Sequence, residues 1–333
     1  MDKIYINAVG SVIPMQDVSN DEFADMIISG EQIVKEVKLS FDEYYKMKVF
    51  RRMDRFSILS ILSFQKAIED NGDLHINEYE CSSIINTTYG PIETNIDFAE
   101  SIVSDRRESV SPILFSHTVN NAALGHVCKK FNMKGPSTLT LSCNSIQIAT
   151  SFIRSKKAKI VFLCGIEQYC DRLFQHMMNK GVNLKEVAVT IAIAGEQSQN
   201  SYAQILGYYE ENMFGHPYLD EFDLDFCVID RIMEKAIVNA NIQAEFIDYA
   251  VIGMINSPLK NIEIELIHRI NKTCRIISLK EAIGETLGAS LNLNIAAGSI
   301  LLKTGKVEKG HYVLVNNYDL SGNFISYVLG SVL

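Results

Sequence analysis

The sequence has no apolar run long enough to cross a membrane as a helix. Its two most apolar stretches, Lys159–Ile166 and Ile295–Leu302, are each about eight residues, against the roughly twenty that a span needs. They read as a buried strand and a buried helix. A secretory signal is also missing: Met1–Pro14 runs straight into a strand-like pattern, without a basic start and a long apolar stretch, so the expected location is the cytoplasm. Basic charge is scarce. With 31 Lys and Arg against 40 Asp and Glu, the net charge of −9 excludes a general nucleic-acid surface. The seven cysteines, Cys81, Cys128, Cys143, Cys164, Cys170, Cys227 and Cys274, form no CxxC pair and have no zinc-like His spacing. Reduced thiols, mostly in the core, follow. No GxGxxG, P-loop or GxSxG occurs, so nucleotide binding and serine hydrolysis have no support, and neither a cofactor nor a metal is expected.

What is present is an alternation of strand-like and helix-like segments, undivided by any Pro-, Gly- or Ser-rich linker, in a chain 47% hydrophobic and 21% charged. That pattern predicts a layered α/β fold. Strands are expected over Ile4–Val12, Ser83–Thr87, Ser137–Ser142, Lys159–Gly165, Val187–Ala194 and Ala203–Tyr208, and helices over Arg55–Asp70, Thr118–Phe131 and Ser145–Ser155. The plan then repeats with helices Asp230–Asn239, Ile262–Ile270 and Glu285–Leu302 and strands Tyr249–Ile255, Tyr312–Asn316 and Phe324–Leu329. Two similar halves, 1–210 and 211–333, in one compact unit are the expectation. One dense basic cluster, Lys46, Lys48, Arg51, Arg52 and Arg55, offers a local positive patch, although most such runs are a solvated helix face.

Five segments in order resemble landmarks of the β-ketoacyl synthases. Arg51–Ser57 with Glu69–Gly72 resembles "RRMDRFS…ALEDAG", and Phe115–His126 resembles "FP.TVPNAAAGH". Lys134–Ser137 matches "KGPS", Ala240–Tyr249 resembles "AGL.P.DIDYV", and Lys280–Ala289 resembles "KSMTGHLLGA". The resemblance implies a thiolase-like five-layered α-β-α-β-α fold of two pseudo-duplicated halves, and a dimer of two such chains. It also implies a nucleophilic Cys at a strand-to-helix turn, where the helix N-terminus lowers the thiol pKa, and two His that stabilise an enolate.

Those catalytic positions are degenerate here. Seven residues on from Ser137 stands Asn144, an amide without a useful nucleophilic lone pair. Cys143 is adjacent and aligns nearly as well if the strand is one residue shorter; it is an acyl-accepting thiol on one reading and a small core residue on the other. The first His position falls on Gly253. The second falls on Glu285, whose carboxylate would repel a developing enolate. The glycine-rich gate corresponds to Asn316–Ile325, with Asp319, Leu320 and Ser321 where flexible positions are expected. His117, Thr118, Asn120, Asn121, Tyr318 and Leu320 fall at pocket or interface positions.

A ketosynthase-like chain without its Cys-His-His set resembles the chain length factors of type II polyketide synthases and aryl-polyene systems. Such a subunit forms a heterodimer with an active ketosynthase, shapes the acyl tunnel, and meets acyl carrier protein mainly through that partner. It contacts neither nucleic acid nor membrane. The alternatives are an acyltransferase or 3-oxoacyl synthase-like enzyme using Cys143, and a homodimeric acyl-binding module.

Overall fold

The computed structural model describes residues 3–72, 77–103, 111–142, 144–213, 226–254 and 257–332. In the first half the chain forms β1 (Ile4–Val12), α1 (Asn20–Ser29), α2 (Asp42–Lys46), α3 (Arg55–Asn71), β2 (Cys81–Thr87) and α4 (Ile92–Val103). It continues through α5 (Pro112–Ser116), α6 (Ala122–Phe131), β3 (Ser137–Leu141), α7 (Ser145–Arg154), β4 (Ile160–Glu167), α8 (Asp171–Asn179) and β5 (Val187–Ala194). Then follow β6 (Ala203–Asn212), α9 (Phe226–Ala240), β7 (Ile247–Val251), α10 (Ser257–Ile270), β8 (Arg275–Ile277), α11 (Leu279–Ala282), α12 (Ser290–Lys303), β9 (Tyr312–Tyr318) and β10 (Asn323–Gly330).

The strands run in the order β3-β2-β4-β5-β1-β6-β10-β9-β7-β8. Read outward from the centre, the two sets of five match. In one, β2 pairs parallel with β3 and β4 while β5 runs antiparallel to β4 and β1. In the other, β7 pairs parallel with β8 and β9 while β10 runs antiparallel to β9 and β6. The sets meet where β1 pairs with β6 at Ile4↔Ile205 and Ile6↔Ala203. The second set therefore opens with β6 at Ala203, and the 210/211 division falls inside that strand.

Side-chain alternation separates the layers, because successive residues of a strand face opposite ways. On β5, Val187, Val189, Ile191 and Ile193 join the central cluster, whereas Ala188, Ala192 and Ala194 join an outer one against α3 and α6. On β10, Ile325, Tyr327 and Leu329 face the centre, and Phe324 and Val328 face α9 and α10. The centre is filled by α7 and α12. Every residue of α12 from Ser290 to Leu302 is buried, and its amides reach both halves: Asn292 donates to the Leu163 and Val189 carbonyls, Asn294 to that of Asn316. Helix, sheet, helix, sheet, helix is the five-layered arrangement expected.

Two expected helices start late. The one expected from Thr118 begins at Ala122, because His117 and Thr118 close the end of α5, with their N–H groups bonded to Leu114 and Phe115 carbonyls. The one expected from Glu285 begins at Ser290; Leu287 takes a left-handed φ of 45° and a short 3-10 turn intervenes. Strand β7 ends at Val251, and Ile255 lies outside the described residues. Helices α1, α4 and α8 were not expected. Among the described residues, no helix is long and apolar enough to cross a membrane.

Candidate functional site

Strand β3 pairs with β2 out to Thr87↔Leu141, and the chain then turns sharply into α7. Ser142 makes the turn with φ 41°, its N–H bonded to the Thr87 carbonyl at 3.0 Å. Cys143 lies outside the described residues. Asn144 is the N-cap residue of α7, yet its side chain does not cap the helix. It is buried and spans two strands of the second half instead: its Nδ2 donates to Glu210 Oε2 at 2.9 Å, and its Oδ1 accepts from the Tyr327 hydroxyl at 2.6 Å. Burial pushes the Glu210 carboxyl up; the Asn144 bond opposes this, and Asp319 adds to it. The Asn144 amide links the start of α7 to β6 and β10 through one donated and one accepted bond. Tyr327→Phe would leave Asn144 Oδ1 buried without that donor, and a loss of about 1–3 kcal/mol is expected by chemical denaturation.

Gly253 follows β7, where β9 comes close. A Cβ on Gly253 would lie 2.7 Å from Asn317 Cα, so the position has no room for a side chain. Its backbone N–H is not an idle donor: it bonds to Glu263 Oε1 at 3.0 Å, and Met254 N–H (2.8 Å) and Asn316 Nδ2 (2.9 Å) bond to the same carboxyl. Burial raises the Glu263 pKa while these donors pull it back.

Glu285 is held in an ion pair. Its carboxylate is not a bare negative charge, because Lys280 Nζ sits 2.8 Å from Oε2 and both side chains are buried. Oε1 accepts from Thr286 N–H (2.9 Å), Leu287 N–H (2.7 Å) and Ser290 Oγ (2.9 Å). These bonds hold 285–290 as a cap ahead of α12, which is why the helix does not begin at Glu285. Lys280 is a buried counter-ion to Glu285.

The gate segment is a tied hairpin. Asp319 Oδ1 accepts from Ser321 N–H and Oγ and from Asn323 N–H, and Ser321 Oγ also donates to the Ser142 carbonyl at 3.0 Å. Leu320 packs into an apolar cluster with Phe174, Met177, Leu184 and Leu287. Tyr318, one of the pocket or interface positions, is buried in the outer layer with residues of α9 and α10.

The interface positions divide. Asn120 lies over Gly90, just past the end of β2, whose φ of 63° and missing Cβ make the space. Thr118 Oγ1 donates to the Phe115 carbonyl, and Asn121 is the N-cap residue of α6. His117 lies apart, its Nδ1 3.3 Å from Asp54 Oδ1 and its ring stacked on His126 at 5.3 Å. The basic cluster divides as well. Arg55 is no part of a patch, because it is half-buried and held in a two-bond ion pair with Glu186. Lys46 pairs with Glu43, while Lys48, Arg51 and Arg52 line an open groove of about 530 Å³ with Val49, Met53 and His126. Burial drives the Cys81, Cys164 and Cys274 thiols up to about 12, as for packing residues.

Structural comparison identifies the fold class as the thiolase-like fold of β-ketoacyl synthases. The chain superposes with a TM-score of 0.81 on a structure of the ishigamide ketosynthase/chain length factor, at 17% identity, over 99% of this chain and 100% of that one. A β-ketoacyl synthase from Burkholderia phymatum STM815 gives 0.80 at 17% identity, over all of both chains. In sequence, the chain is 23% identical over 310 residues to the 3-oxoacyl-[acyl-carrier-protein] synthase 2 of Staphylococcus aureus (strain COL), covering 80% of this chain and 74% of that protein. No protein-family model matches the chain.

Proposed function

We propose that the chain is a non-condensing ketosynthase-like subunit of the chain-length-factor kind, which pairs with an active ketosynthase and shapes its acyl tunnel. One observation carries this reading. At the three positions that align with the catalytic set of β-ketoacyl synthases, Asn144 bridges Glu210 and Tyr327, Gly253 is packed against Asn317, and Glu285 is paired with Lys280. Neither Gly253 nor Glu285 offers an imidazole to stabilise an enolate, and the amide of Asn144 forms no acyl-enzyme. A tunnel wall needs only shape, and in this reading the apolar cluster of Leu320 with Leu287, Phe174 and Met177 contributes to it. The likeness to a structure described as a ketosynthase/chain length factor is consistent with this role.

The surface for pairing is an edge. Strand β3 ends the sheet, and Leu141 on it, with Ile113, Phe115 and Val119 on and after α5, is exposed. Open edges and apolar patches of this kind call for a partner. Carrier protein meets the pair chiefly through the ketosynthase, and the groove of Lys48, Arg51 and Arg52 is this chain's own contact with its acidic surface.

Co-expression tests the proposal. The tagged chain is expected to purify with an equal amount of ketosynthase, and Leu141→Arg is expected to abolish the complex while leaving the circular dichroism spectrum intact. Recovery as a folded, self-sufficient homodimer with acyl-transfer activity would refute it.

A further inference from the structure

The basic groove has a titratable wall. His126 lines it beside Lys48, Arg51 and Arg52, and its ring stacks on His117 at 5.3 Å with 19° between the planes. His117 is buried, with Asp54 on its far side at 3.3 Å. The Asp54 carboxylate strengthens the hold of His117 on its proton, against the cost of burial. Burial, a neighbouring His117 cation and Lys129 all weaken the hold of His126 on a proton, and Asp54 opposes them only in part. Arg51, Arg52 and Lys48 add positive charge from the facing segment. In the free protein His117 therefore protonates first, and His126 stays neutral to lower pH.

We propose that this groove is a proton-dependent docking site for an acidic protein surface, with His126 taking up a proton as the partner binds. The inference rests on the carrier-docking reading above and adds its regulation. Carboxylates laid between Arg51, Arg52 and His126 would screen the repulsion that keeps His126 neutral and favour its charged form. Val49 and Met53 add apolar lining, which suits a folded protein face better than a free small anion.

By linkage, a group that binds its proton more tightly in the complex makes the complex tighter at low pH. The gain is complete below the free-state pKa of His126, itself below the ordinary histidine value, and fades as pH rises through the bound-state value. A shift of one pKa unit on binding gives a tenfold change in affinity.

The test titrates the purified complex of this chain and its ketosynthase with apo acyl carrier protein, by calorimetry at about 0.05 M ionic strength. Binding is expected to be roughly three- to tenfold tighter near pH 6 than near pH 8, with proton uptake seen as a buffer-dependent heat. His126→Gln is expected to abolish both the tightening and the uptake, and Arg52→Glu to weaken binding at both pH values. Equal affinity at the two pH values, or a tightening that persists in His126→Gln, would overturn the inference and leave carrier docking standing. No binding at either pH would overturn both.

Discussion

Gly253→Ala is expected to destabilise the protein by about 3 kcal/mol or more, measured by urea denaturation, whereas Gly125→Ala on α6 is expected to be neutral or stabilising. The contrast is geometric. A methyl at Gly253 meets three backbone atoms of Asn317 at 2.7–2.9 Å, and the strand carrying them is locked between β7 and β10. A methyl at Gly125 meets nothing within 4 Å and replaces a poor helix former by the best one. Gly253→His, which would place there the histidine of β-ketoacyl synthases, inherits the clash and strains the Gly253 and Met254 N–H bonds to Glu263. The triple change Asn144→Cys, Gly253→His, Glu285→His is therefore expected to give no condensing enzyme, because backbone now occupies the space an imidazole would need.

Glu285→Ala is expected to cost about 3–5 kcal/mol, as is usual when one member of a buried ion pair is removed and the other keeps its charge. Lys280 would be left with its side chain 5% exposed and without that counter-ion, and Thr286 N–H, Leu287 N–H and Ser290 Oγ would each lose an acceptor. Lys280→Met is expected to cost less, since Glu285 keeps those three donors. The two changes together are expected to cost less than their sum, with a coupling of roughly 0.5–3 kcal/mol from a double-mutant cycle. Strict additivity would show that the 2.8 Å pair does not hold the segment before α12.

Much of this was legible in the sequence, and the misses share a cause. Strands β1 and β5 match their expected spans because a buried strand writes its own apolar pattern. Lys159–Ile166 and Ile295–Leu302 became β4 and α12 for the same reason. Helix α1 had a local signal that went unread, the capping box of Ser19 and Glu22. The roles of Glu210 and Tyr327 had none, because they meet Asn144 across 66 and 183 residues of chain. Glu285 was read as a carboxylate at an aligned histidine position, and its partner Lys280 went unread because it lies five residues back, across a turn rather than along a helix. Gly253 was noticed as a substitution, and only the approach of β9 shows that it is a steric necessity.

The most direct test of the proposed loss of condensation is malonyl decarboxylation. The purified chain, incubated with malonyl-acyl carrier protein, is expected to release carbon dioxide no faster than buffer, while its complex with the ketosynthase releases it at a rate unchanged by Asn144→Ala in this chain. Release by the chain alone that Asn144→Ala or Glu285→Gln removes would contradict the account.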